Sequence, residues 1–253
     1  PFDVEAVIHP EPTSPLLTTV DICSDDINNF DLQTLVIDNV GGGGNTVPSK
    51  FKYTVVSDFP MDVFPAANRT TATIAAITDA YTNLSNHDVT ITYTVTPVSL
   101  TGDCEGTAFD FEIVIHPEPV GINILDPVCS SALNHNIQAS HINAVGGNSL
   151  PSVFTYVFIP DPLNPTVLPI AGPPYDRLVA SALNITDNFL NTTGIDATVT
   201  YLITPFNTAN PTCAGTDFTY QVKVSPKPQA GPFTEPDVCS NVAFTFNPQD
   251  VVN

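Results

Sequence analysis

The sequence predicts an all-β protein made of tandem β-sandwich repeats of about 107 residues, and three observations carry that expectation. Landmarks recur in one fixed order. Segments of alternating apolar and polar residues read as strands. The composition, with 25 Pro and 13 Gly alongside abundant Thr, Val, Ile and Asn, favours strands broken by turns over helices.

The landmarks come first because they set the organisation. Ile8-His9-Pro10-Glu11-Pro12 returns as Ile115-His116-Pro117-Glu118-Pro119 and, more loosely, as Val224-Ser225-Pro226-Lys227-Pro228. Cys23-Ser24, Cys129-Ser130 and Cys239-Ser240 follow at matching offsets. Val40-Gly41-Gly42, Ile77-Thr78-Asp79, Thr92 to Pro97 and Cys104-Glu105-Gly106 recur as Val145-Gly146-Gly147, Ile185-Thr186-Asp187, Thr200 to Pro205 and Cys213-Ala214-Gly215. Two whole repeats result, 13–119 and 120–228. Residues 1–12 read as the last strand of a preceding repeat and 229–253 as the start of a following one, so a longer parent chain is expected.

Within a repeat, Val89 to Val95 and Ala197 to Ile203 place odd positions on one face and mostly Thr on the other. Phe109 to Ile115 reads as the terminal strand, stopped by Pro117, which cannot donate to a ladder. Gly41 to Gly44 and Pro160-Asp161-Pro162 read as loops or turns. About seven short strands per repeat fit a Greek-key, immunoglobulin-like sandwich. A one-turn helix within a loop is compatible with this pattern. The Pro-x-Pro segments joining repeats are expected to be extended, semi-rigid spacers.

Charge narrows the function classes. Acidic residues outnumber basic ones 26 to 6, a formal net charge of -20, which repels nucleic acid and anionic headgroups. No nucleic-acid partner is expected. Apolar stretches fall short of a membrane span. The chain lacks G-x-S-x-G, H-E-x-x-H, a phosphate-binding glycine loop and an EF-hand pattern, and its carboxylates scatter along loops, so neither an enzyme nor a cofactor site is expected. Asp25, Asp26, Asn28, Asn29 and Asp31 form an oxygen-rich cluster of the kind calcium takes, but Ser131 to Ile137 in the next repeat supply no carboxylate, which favours a solvated acidic loop. Asn68, Asn83, Asn184 and Asn191 head formal glycosylation sequons. Tyr93 and Tyr201 are expected to be core residues whose hydroxyls tie an adjacent loop.

Five cysteines, at 23, 104, 129, 213 and 239, include no C-x-x-C pair, so a zinc site is not expected. If the first strand runs parallel to the last, their starts lie side by side. That geometry favours Cys23–Cys104 and Cys129–Cys213, with Cys239 paired beyond Asn253. The rival scheme joins neighbouring repeats as Cys104–Cys129 and Cys213–Cys239. Either one implies an oxidising compartment.

Asp21-Ile22-Cys23-Ser24, Thr92 to Pro97, Asp103-Cys104-Glu105-Gly106 and their counterparts Pro127 to Ser130, Thr200 to Pro205 and Thr212 to Gly215 resemble the PKD-like repeats of giant Bacteroidetes cell-surface adhesins. The likeness is greatest to the gliding-motility adhesins of SprB type. The glycine of that pattern after Cys-Ser is replaced by Asp25, Ser131 and Asn241, which leaves the local turn open. The resemblance implies a secreted stalk segment at the bacterial surface, exported by the type IX system. Its implied partners are neighbouring repeats, the outer-membrane secretion or motility machinery and, through other regions, an external surface or polysaccharide. A polysaccharide-binding repeat and an accessory tail of a secreted hydrolase are the alternatives.

Overall fold

The computed structural model describes residues 2–27 and 29–229, and singly 245, 247 and 249. Asn28, Cys239 and nearly all of the expected third-repeat opening lie outside the described residues. The chain divides into two compact units, Pro1–Pro119 with Ala209–Ala214, and Val120–Thr208 with Gly215–Asn253.

The first repeat holds β1 (Leu17–Cys23), β2 (Ser49–Ser57), β3 (Arg69–Thr73), β4 (Val89–Ser99) and β5 (Phe109–His116). The second repeats the set as β6 (Ile124–Cys129), β7 (Ser152–Ile159), β8 (Arg177–Ser181), β9 (Ala197–Asn207) and β10 (Phe218–Ser225). Both sheets have one strand order, β1-β5-β4-β2-β3 and β6-β10-β9-β7-β8. All neighbours are antiparallel except the first and last strands of each repeat, which run parallel.

Alternation built these strands as the sequence predicts. Along β4 the odd positions Val89, Ile91, Tyr93 and Val95 are fully buried, and the Thr side chains between them are not. In the first repeat this face packs against Leu32, Val36, Ile37, Val63, Ile77 and Tyr81, which come from the segments before β2 and between β2 and β4. The second repeat does the same with Leu133, Ile137, Ile142, Val167, Ile185 and Phe189. This opposing layer is not a regular sheet. It is stitched by isolated bridges, Phe30 to Ile77 and His135 to Ile185, so among the described residues each sandwich has five full strands where about seven were expected. Short, interrupted apolar runs in 24–47 and 58–88 are the reason, since they cannot sustain a ladder.

One-turn π-helices do sit in those loops, at Gln33–Ile37 and Gln138–Ile142. Each is locked to β2 or β7 by its first residue. Gln33 Oε1 accepts from Ser49 N at 2.8 Å, and Gln138 Oε1 from Ser152 N at 2.9 Å. The glycine run is a turn as predicted, and its chemistry is close approach. A Cβ on Gly44 would stand 2.2 Å from Ile37 O, and one on Gly147 2.2 Å from Ile142 O.

Residues 2–12, read as the last strand of a preceding repeat, pair with no strand among the described residues. One expectation is corrected. The cysteines do not lie where the favoured pairing needs them. Cys23 ends β1 opposite His116, whereas Cys104 precedes β5, beyond the end where Leu17 meets Asp110. From Asp110 to His116 a strand advances roughly 20 Å, and a disulfide tolerates a Cα separation of at most about 7 Å. Cys129 and Cys213 are separated in the same way, since Cys129 lies opposite Ser225 and Cys213 precedes Phe218. The parallel first and last strands were foreseen; the cysteine closes the first strand instead of opening it.

Candidate functional site: brackets around the last strand

The disulfide in this structure joins Cys23 to Cys213, 190 residues apart, with a Cα separation of 5.2 Å. Neither Cys23–Cys104 with Cys129–Cys213 nor Cys104–Cys129 with Cys213–Cys239 describes it. Cys104 and Cys129 are free thiols, Cys104 half-buried and Cys129 exposed. By spacing, Cys23 is the first cysteine of one repeat and Cys213 the second cysteine of the next.

The Cys-Ser landmark builds a polar bracket beside this bond. Ser24 N donates to His116 O at 3.0 Å, and Ser24 Oγ accepts from Asn83 N at 2.9 Å. Asn83 is fully buried, and its Nδ2 donates to Ile115 O and His87 O, both at 2.9 Å. Its Oδ1 accepts from Ser85 N and Ser85 Oγ, and its carbonyl from Glu118 N. The second repeat copies the arrangement. Asn191 N donates to Ser130 Oγ, Asn191 Nδ2 to Val224 O and Ile195 O, and Lys227 N to Asn191 O. One buried asparagine thus ties the first strand, the last strand and the Pro-x-Pro segment together. Two of the four sequons, Asn83 and Asn191, are these brackets, with no side-chain nitrogen left for a glycan. Asp25, which follows Cys-Ser, takes φ 63°, the left-handed conformation that favours glycine.

A second bracket holds the opposing layer. Tyr93 Oη donates to Asp79 Oδ2 at 2.7 Å and lies 2.5 Å from Tyr81 Oη; Tyr201 Oη donates to Asp187 Oδ2. The recurring Ile-Thr-Asp landmark therefore supplies the acceptor for the recurring tyrosine. Burial first, then these hydrogen bonds, hold both phenols far above their ordinary pKa, so they stay protonated donors. Sequence reasoning missed a third bracket. Arg69 lies over the Tyr53 ring at 4.6 Å and donates to Ala75 O and Ala76 O, while Arg177 lies over Tyr156 at 4.7 Å and donates to Leu183 O and Asn184 O. Two arginines 108 residues apart, among only six basic residues, were the available signal. Three lysines are likewise engaged, Lys50 with Asp103, Lys52 with Glu105 and Lys223 with Asp196. The lysine beside each holds Asp103 and Asp196 below the usual carboxylate range.

His135 and His141 are specific to the second repeat. They occupy the places of Phe30 and Val36, and pack on Tyr220 and Phe218 with ring centroids at 3.7 and 4.8 Å. Their Nε2 atoms are 2.8 Å apart, and His141 Nδ1 donates to Ile122 O at 2.6 Å. A neutral His141 therefore accepts at Nε2, and His135 donates there. Burial, with His141 adding to it, lowers His135 to about 4, against the pull of Asp126; burial also lowers His141.

Among the described residues, no three His, Cys, Asp or Glu side chains converge as metal ligands. In the acidic loop, Asp25 accepts from Thr82 Oγ1, Asp26 from Cys23 N, and Asp31 from Gln33 N and Thr34 Oγ1. A groove of about 690 Å³ in the first repeat is lined by Asp31, Gln33 and Asp38, among others, and these three side chains are already hydrogen-bonded within the loop.

Fold and brackets together define an immunoglobulin-type β-sandwich module whose buried polar groups serve its own architecture. The PKD-like domain profile matches residues 20–119 and 176–228, more than half of the sequence, and the chain belongs to that family. No curated protein matches it. Solved structures similar to it include human mucin-like protocadherin EC1-2, at 9% identity and TM-score 0.33, covering 85% of this chain and 98% of that one. Human CDH23 EC21-23 gives 10%, TM-score 0.33 and coverages of 92% and 77%. Drosophila N-cadherin EC1-4 gives 9%, TM-score 0.28 and coverages of 86% and 51%. At these scores the likeness carries no argument about function. Among the described residues no helix is long and apolar enough to cross a membrane.

Asn83→Ala should destabilise the first repeat by about 2–4 kcal/mol in chemical denaturation, because Ile115 O and His87 O lose their shared donor. The histidine pair gives a pH test. With folded pKa values below the unfolded value of about 6.5, the unfolded state binds more protons as pH falls. Stability contributed by the neutral pair is fully present above pH ~6.5 and lost progressively toward pH ~4. Thermal melts at pH 7.5 and 4.5 should show this loss, and the double variant His135→Phe/His141→Val should reduce it.

Proposed function

We propose that this chain is a stalk segment of a large secreted cell-surface adhesin filament, serving surface attachment or gliding motility. In this reading residues 13–119 and 120–228 are complete PKD-like sandwiches, 1–12 belong to a preceding repeat and 229–253 open a following one. The observation that carries it is the Cys23–Cys213 bond, which links the first strand of one repeat covalently to a loop of the next. A bond of that kind has a direct use in a load-bearing series.

The recurring buried polar groups support the same reading, since asparagine, tyrosine–aspartate and arginine brackets all act within the fold. The role is extension and resistance to force and proteolysis, without chemistry. A disulfide places such a protein in an oxidising, extracellular setting. Neighbouring repeats, the export or motility machinery of the outer membrane, and an external surface reached through other regions are the proposed partners.

Electron microscopy of the intact parent released from its cells tests this. Thin filaments many domains long are expected, and a compact particle with a short tail would contradict the stalk role.

A further inference from the structure

We infer that disulfides run through the whole array by one rule, in which the first cysteine of each repeat bonds the second cysteine of the following repeat. The inference rests on the tandem-array reading above and deepens it. Cys23–Cys213 is one instance of the rule. The rule then assigns partners to both free thiols, a following repeat's second cysteine to Cys129 and a preceding repeat's first cysteine to Cys104.

Register and position support the assignment independently. In the β1–β5 ladder Cys23 stands opposite His116, and it is bonded there to Cys213. By spacing, His9 is the counterpart of His116 and Cys104 the counterpart of Cys213. The Cys104 thiol lies 3.9 Å from His9 O, so it already sits beside the residue opposite which a preceding first cysteine belongs. Cys129, in turn, ends β6 opposite Ser225 as Cys23 ends β1 opposite His116, and its exposed thiol is open to a partner. Pairing within a repeat is barred for both by the length of the last strand, as described above.

Closure is a two-electron oxidation. The Cys129 thiolate attacks the disulfide of an oxidised dithiol–disulfide exchange protein in the export compartment, forming a mixed disulfide. The second thiolate displaces it, the new S–S bond forms, and the exchange protein leaves as its dithiol with the two electrons and two protons. The consequence is overlap. Each bond spans about 190 residues while the repeat is about 107, so successive loops overlap and every Pro-x-Pro segment lies inside at least one of them. A single backbone cut anywhere in the array interior then leaves the two pieces joined. The scheme with bonds inside each repeat would leave residues 105–128 outside every loop.

The test is non-reducing peptide mass spectrometry after alkylation of free thiols, on two oxidised chains. In the 253-residue chain, Cys23 and Cys213 should appear as one linked peptide, with Cys104 and Cys129 alkylated. In the same chain extended after Pro228 by a second copy of residues 120–228, Cys129 should lose its alkylation and appear linked to the added copy of Cys213. Cys23→Ser in the extended chain should free Cys213 alone and leave the Cys129 link intact, which separates the rule from a folding defect. Cys129 linked to Cys213 of its own repeat, or still alkylated in the extended chain, would overturn the rule. Neither result depends on what the parent filament attaches to, so this failure is distinguishable from failure of the adhesin reading.

Discussion

The parallel pairing of first and last strands is the constraint on which the rest of this structure depends. Because β1 runs beside β5 in the same direction, the end of the first strand and the exit of the last lie at one end of the sheet. That end therefore holds Cys23, Ser24, His116 and the start of the Pro-x-Pro segment together. Once the Cys23–Cys213 bond is reduced, tension entering at the start of β1 and leaving at the end of β5 loads the pair in shear, so its hydrogen bonds resist together instead of opening one at a time. The antiparallel neighbour β4 backs β5 over seven paired positions, Val89 to Val95.

The two repeats show which residues that constraint demands. Serine after cysteine, a buried asparagine 59 or 61 residues later, and an arginine over a β2 or β7 tyrosine appear in both, with the same hydrogen bonds. The histidine pair differs, and it shows the tolerance of the core. Two aromatic heterocycles fill the places of Phe30 and Val36 while keeping their polar atoms bonded to one another and to Ile122 O. That substitution makes the second repeat acid-sensitive where the first is not built to be.

Much of the fold was legible in the sequence. Period-two alternation located β4, β5 and β9, and the recurring landmarks gave the repeat its length. The irregular layer was less legible, because bridges such as Phe30–Ile77 and one-turn helices leave no period to read. The Tyr93–Asp79 tie was readable because both residues recur in fixed motifs. Asn83 and Asn191 were visible only as sequons, and their role emerges from burial, which a sequon does not encode. The disulfide partner could not be read, since it turns on whether a cysteine opens or closes a strand, and a shift of six residues along β1 moves it to the opposite end of the sheet.

The central claim is that force crosses the chain through the Cys23–Cys213 bond. Single-molecule pulling from the two ends of the chain, with and without reductant, measures this directly. With the bond intact, the 190 residues between the two cysteines should stay out of the unfolding length, and reductant should release about 650 Å more. Full-length unfolding steps without reductant, or locked segments of only about 80 residues in each repeat, would contradict it.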